Sequence, residues 1–195
     1  MAKNNFWADD EWQRQKRDKY LSGFYGKFSR DGRYVYIEKS RCSTLMQKRL
    51  AVDTIVQSRR GGSECVEEKI VRAREKPLTA FCLETESCTV AGHESDGWMK
   101  YGEADYLMYC FEVETSLDLD CYLMEFQPLK AWFWAQDIER FHRHVMPTLN
   151  RTASRLVPVV EVARNIKAVR FLMAPGGLMQ MGDPLIPRDV FKVAA

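Results

Sequence analysis

Asp53, Glu67 and Lys69 are the residues of this chain whose types and spacing could do chemistry together. They fall within residues 53–69, DTIVQSRRGGSECVEEK, which read as two short strands turning at Gly61-Gly62. Side chains alternate faces along a strand, so Glu67 and Lys69 point one way and Glu68 the other. Two carboxylates and a lysine would then converge on one spot. That set suits phosphodiester hydrolysis. Asp53 and Glu67 supply hard oxygen ligands for Mg²⁺ (or Mn²⁺), and Mg²⁺ needs only one or two carboxylates because it keeps several waters. Lys69 would orient or help deprotonate the attacking water, or act as an electrophile against charge developing on phosphorus.

With Asp53 as the first acid and Glu67-Glu68-Lys69 as the second element, the pattern resembles the PD-(D/E)XK nuclease superfamily of restriction-endonuclease-like proteins. Val52 stands where the family name has proline. Gln47, six positions before Asp53, is similar to the Q-x-x-G-x-D lead-in of small phage and prokaryotic members. The stretch Gly97-Trp98 to Ala104-Asp105-Tyr106 resembles their G-W-x-x-x-S-x-A-D-Y segment, with Gly102 in place of the small or hydroxyl residue and Glu103 in place of a common basic one. The resemblance covers roughly residues 40–145. It implies a mixed central β-sheet flanked by helices (α/β or α+β), a Mg²⁺-dependent deoxyribonuclease activity, and Asp53, Glu67 and Lys69 as catalytic residues with Asp53 and Glu67 on the metal. In this fold a glutamate of the first helix sometimes completes the site, which makes Glu11 a candidate beside Gln47.

The elements that must position these residues are legible in outline. Residues 6–22 read as a helix with Asp9 and Asp10 near its start and Gly23 and Gly26 ending it. A first strand follows the Asp31-Gly32 turn, and Ser43 to Leu50 suggest a helical turn carrying Gln47. Strands at 52–57 and 65–71 form the central pair, and 81–89 is expected to continue the same sheet, with Glu84 and Glu86 on one face as extra ligands or as an exposed strand face. Apolar strands follow at 104–113 and 119–126. Pro128 opens an expected helix in which Trp134, Ile138, Phe141 and Val145 recur at helical spacing until Pro147. His142 and His144 would sit on its surface. Beyond it, 156–162 and 169–173 look β-like, Pro175-Gly176-Gly177 is a turn, and 178–195 look irregular. A single domain is expected, with a core at about 30–147 and a β-like extension at about 155–195.

With 195 residues and 46% hydrophobic content the chain can bury one sizeable core. No apolar run approaches the roughly 20 residues of a membrane span, and the first residues lack an apolar signal core, so a cytoplasmic protein without membrane contact is expected, in the host cytoplasm if phage-encoded. The six cysteines include no Cys-x-x-Cys pair, and buried reduced thiols are expected rather than bridges or a zinc site at Cys82, Cys88 and His93. Residues 1–50 carry 12 basic against 6 acidic side chains, residues 77–126 carry 1 against 11, and the remainder from 127 carries 10 against 5. Basic ends help hold phosphates, whereas an acidic middle points to metal affinity or to solvated strand edges.

Nucleic acid, DNA first, is therefore the expected partner, with Arg59 and Arg60 gripping the backbone. Trp98 would stack on a base or sugar, or else anchor the core. A homodimer is compatible with cutting both strands. Two other readings use the same residues differently. One is a non-catalytic nuclease-fold protein that binds nucleic acid or a host-defence protein. The other is a phage structural or assembly component, suggested by the tryptophans at 132 and 134. No glycine-rich phosphate loop, G-x-S-x-G elbow, H-E-x-x-H helix or fixed-period repeat is present, which removes several other enzyme classes.

Overall fold

The computed structural model describes residues 6–30, 34–37, 46, 50–58, 61–72, 79–113, 116, 118–146 and 151–180. Gln47, Arg59, Arg60, the Asp31-Gly32 turn and residues 181–195 lie outside the described residues. The protein is mixed α+β, with two sheets and a few helices. A seven-stranded sheet runs in the order β1-β2-β3-β6-β7-β10-β11, where β1 is Tyr34–Ile37, β2 Thr54–Ser58, β3 Ser63–Val71, β6 Tyr106–Glu112, β7 Leu119–Glu125, β10 Ala168–Ala174 and β11 Leu178–Gln180. Its neighbours pair antiparallel except β3 and β6, which are parallel with Val66 opposite Tyr106. A parallel pair needs a crossover, and here the crossover contains β4 (Ala80–Cys88), β5 (Ser95–Asp96) and the short helix Trp98–Tyr101. β4 therefore does not extend the central sheet as expected. It pairs with β5 and with β9 (Ala153–Pro158), and β8 (His142–Val145) completes this four-stranded sheet.

Strand alternation sorts the apolar residues of the large sheet into two cores. Leu107, Tyr109 and Phe111 of β6 join Phe81 and Leu83 of β4, Val157 of β9 and Phe126, Leu129 and Phe133 of the helix Phe126–Trp134. Met108 and Cys110, one residue out of phase, join Tyr20, Leu21, Phe24 and Tyr25 on the opposite face. Each face of the large sheet is thus covered, one by the N-terminal helices and the other by the smaller sheet with its helices.

The N-terminal helix does not end at Gly23. It continues as α1 (Phe6–Lys16), a π-helical turn (Arg17–Leu21) and α2 (Ser22–Arg30). Gly23 serves close packing instead: a Cβ there would lie 2.2 Å from the carbonyl oxygen of Gly176, and one on Gly177 would lie 2.0 Å from the Phe24 nitrogen. Backbone touches backbone where the N-terminal helices meet the turn after β10.

The helix through Pro128 is shorter than its apolar spacing suggests. It ends at Trp134, and the Asp137 side chain accepts the Glu139 N–H at 3.2 Å to start a 3₁₀ turn at Ile138–Arg140. Residues His142–Val145 then become the edge strand β8, because pairing with β9 satisfies their backbone. His142 is exposed and His144 half-buried. Similarly, the β-like reading of 156–162 holds only to Pro158, after which Val159–Asn165 is helical. Residues 178–180 pair with β10 rather than being irregular. Cys110 and Cys121 are buried, Cys65, Cys82 and Cys88 half-buried, and all five are thiols. No helix among the described residues is long and apolar enough to cross a membrane.

Candidate active site

The β2–β3 pair fixes the site. Thr54 lies opposite Val66, and the Asp53 N–H donates to the Val66 carbonyl at 2.9 Å, so Asp53 enters the ladder just ahead of β2, across from Glu67. Ala51 precedes it with φ 48°, in the left-handed region that a residue with a Cβ adopts only at a cost. The Val52 N–H donates to the Met46 carbonyl at 3.0 Å, which holds that bend. Such strain, kept two residues from a carboxylate, marks a place where backbone geometry is fixed by its surroundings.

Alternation along β3 then separates its charged triplet. On one face Lys69 Nζ lies 2.9 Å from Glu67 Oε1 and 5.2 Å from the centre of the Trp98 ring. On the other, Glu68 forms an ion pair with Arg17, and Thr54 Oγ1 donates to Glu68 Oε1 at 2.7 Å. Asp53 bridges the two: its Oδ2 accepts the Glu68 backbone N–H at 3.1 Å and lies 3.6 Å from Arg17, while its charge also acts on Lys69. Asp53, Glu67 and Glu68 are each at most 4% exposed. The Lys69 side chain is 34% exposed and is the member of the set that reaches solvent most.

These neighbours set the charge states. Burial alone would depress the Lys69 ammonium, but Glu67, Glu84 and Asp53 together push it above the ordinary lysine range. Among these carboxylates Lys69 is therefore a cation and a donor. Arg17 is held in its charged form in the same way, by Glu68 and Asp53 against the effect of burial. Glu68 is raised by burial, opposed by Arg17. The Tyr25 hydroxyl beside it is pushed far up, first by burial and then by the Glu68 charge.

Other expected site residues land elsewhere. Glu11 is on the exposed side of α1, bonded to Arg14 (2.7 Å) and Gln15 (2.9 Å), and does not reach Asp53. Arg17, six residues on, is what the N-terminal segment contributes. Trp98 is 2% exposed and packs against Phe126, so it anchors the core and supports Lys69 rather than stacking on a base. Glu84 and Glu86 part company at a β-bulge: Glu84 acts on Lys69, whereas Glu86 pairs with exposed Arg143 at 2.9 Å. In the Gly97 to Tyr109 segment, Asp105 Oδ2 accepts the Cys65 N–H at 2.7 Å and so aligns β3 with β6. Gly102 is explained by packing, since a Cβ would come 2.7 Å from the Phe126 ring.

The donor set fits a magnesium-like ion. Asp53 and Glu67 present carboxylates from facing positions on neighbouring strands, and among the described residues no three His, Cys, Asp or Glu are arranged to hold a metal, so a Mg²⁺ ion here would have two protein ligands and take the rest of its shell from water. Charge points the same way. Four carboxylates, Asp53, Glu67, Glu68 and Glu84, lie around two cations, Arg17 and Lys69, and when all are ionised the excess of two negative charges is what one divalent ion would balance.

Compared with protein-family models, with curated proteins and with solved structures, the chain gives no significant match to any of the three.

Proposed function

We propose that the chain is a metal-dependent nuclease of the PD-(D/E)XK type that hydrolyses phosphodiester bonds, in DNA first, with Mg²⁺ or Mn²⁺ as cofactor. The observation that supports this reading is that Asp53 and Glu67 occupy facing, buried positions at the β2–β3 pair, with Lys69 2.9 Å from Glu67, within the influence of the Asp53 charge and reaching solvent. A divalent ion held by Asp53 and Glu67 would supply Lewis-acid activation of water and of a phosphoryl oxygen. Lys69, kept protonated, donates to a non-bridging phosphate oxygen and offsets its developing charge, or holds the attacking water by its lone pair. Lys69 Nζ is bonded to Glu67 Oε1, which leaves Glu67 Oε2 as the oxygen that would meet a metal, and the Trp98 ring lies beside the ammonium.

A second reading is supported by the burial of Trp98, which removes the aromatic platform expected for a nucleobase: a nuclease-fold protein that binds nucleic acid or a host-defence protein without cutting. Incubation with linear, circular and single-stranded DNA and with RNA, in Mg²⁺ or Mn²⁺ against EDTA, separates the two. Metal-dependent products that vanish in Asp53→Ala and in Lys69→Ala, both still folded by circular dichroism, support the nuclease. Wild-type cleavage surviving in both variants overturns it.

A further inference from the structure

We propose that Arg17 is a positioning residue for Asp53, acting directly and through the buried Glu68; its bearing on metal binding rests on the nuclease reading above. The guanidinium belongs to the first residue of the π-helical turn, a rare backbone form that recurs at functional sites, and that turn brings it to the underside of β3. Its side chain is 16% exposed, pairs with Glu68 and lies 3.6 Å from Asp53 Oδ2. The same Oδ2 accepts the Glu68 N–H, and Glu68 is itself held by Thr54. One backbone donor on β3 and one cation on the helix thereby act on the same Asp53 oxygen, while Thr54 steadies the Glu68 carboxylate that anchors the cation.

Arg17 is on the face of β3 opposite Lys69, so it touches the acid from behind rather than from the side where Lys69 reaches solvent. Its neighbours hold it there. Lys16 is ion-paired with Glu112 at the end of β6, and Tyr20 and Leu21 of the same turn are buried. A planar fork can hold two carboxylates at once in fixed geometry, which a lysine ammonium does less well. Second-sphere partners of this kind typically alter metal affinity by about 10- to 100-fold when removed.

The test uses the full chain with four variants: Arg17→Gln, Arg17→Lys, the double variant Arg17→Met/Glu68→Leu, and Arg14→Gln as a control on the exposed side of the same helix. Mn²⁺ affinity is read by the electron paramagnetic resonance of unbound Mn²⁺, cleavage by kcat and KM, and the Asp53–Glu68 contact by hydrogen exchange at the Glu68 amide. Arg17→Gln is expected to weaken Mn²⁺ about 10- to 100-fold, to lower kcat with KM nearly constant, and to speed exchange at Glu68. Arg17→Lys, which keeps the charge but not the fork, should restore each only in part, and Arg14→Gln should change none. The double variant removes both buried charges, which keeps the fold within reach, and should still bind Mn²⁺ weakly. Wild-type Mn²⁺ affinity and wild-type protection of the amide at position 68, in folded Arg17→Gln or in the double variant, overturn the proposal. So does a loss that follows melting temperature alone, with Arg17→Lys no better than Arg17→Gln at equal melting temperature. If the wild type neither binds Mn²⁺ nor cuts DNA, yet Glu68 protection depends on Arg17, the positioning of Asp53 stands and the nuclease reading falls.

Discussion

The two faces of β3 each carry a glutamate paired with a basic side chain, lysine on one and arginine on the other, and the pairs differ in character. Lys69 and Glu67 share the face toward Trp98, where a third of the lysine is exposed, while Arg17 and Glu68 share the face toward the N-terminal helices, where the glutamate side chain is 1% exposed. The difference lies in what each pair can exchange. A lysine on a flexible stem can leave Glu67 for water, phosphate or metal-bound ligands, whereas Arg17 is enclosed by the π-helical turn and by Glu68, Asp53 and Tyr25. One pair is free to exchange partners with solvent and the other is fixed beside Asp53.

Breaking the buried pair should have the largest effect on stability. Glu68→Ala leaves Arg17 buried without its principal partner and is expected to cost about 3–5 kcal/mol in urea unfolding, whereas Glu67→Ala, on the more open face, should cost about 1 kcal/mol or less while eliminating cleavage. Equal costs for the two would erase the distinction between the faces.

A third acid sharpens it. Glu64 lies on the Glu68 face by alternation but is buried near Asp105, and its Oε2 has no hydrogen-bond partner among the described residues. Burial first, and then the Asp105 carboxylate, push its pKa to about 7. The folded state then binds a proton that the unfolded state has already lost, so stability is expected to fall as pH rises from about 4.5 to about 7, by roughly 2 kcal/mol once partial solvation is allowed for. Urea midpoints measured across that range should flatten in Glu64→Gln; an unchanged slope would show that Glu64 is not the group responsible.

Metal addition should act on the open face. At ten times its dissociation constant, Mn²⁺ is expected to stabilise the wild type by about 1.4 kcal/mol, a rise of about 3–5 °C in melting temperature for a chain of this size. Glu67→Ala should show no such rise, and a rise of the same size in that variant would exclude Glu67 as a ligand. The smallest effect belongs to the surface of α1: Arg14→Ala breaks the exposed pair with Glu11 and should shift stability by less than about 0.5 kcal/mol. A larger shift would return Glu11 to consideration as a site residue.

Local rules made part of this legible. Period-two alternation placed Glu67 with Lys69 and against Glu68 without reference to the rest of the chain, and apolar runs located β6 and β7. What escaped depends on contacts distant in sequence. The apolar spacing of Trp134, Ile138 and Phe141 fits a helix as well as a 3₁₀ turn followed by an edge strand, and only pairing with Ala153–Pro158 decides between them. The separation of β4 from the central sheet is likewise a choice of partner. Arg17 reads in isolation as one basic residue of a charged helix; its value comes from carboxylates 36 and 51 residues away. One cue was local: Asp53 and Glu68 both lie in an apolar strand context that buries them, and a buried acid requires a cation from somewhere.

The contact of Gly23 with Gly176 and Gly177 also sets an order of assembly. The segment bearing Arg17 is made early, yet its docking surface includes a turn more than 150 residues later. Asp53, Glu67 and Lys69 can come together as a hairpin soon after synthesis, but the arginine behind them cannot settle until β10 and its following turn have emerged. The ion pair of Arg17 with Glu68 would then form late, with the closing of the large sheet, so that a chain lacking β10 and its turn holds the acids and the lysine without the brace behind them.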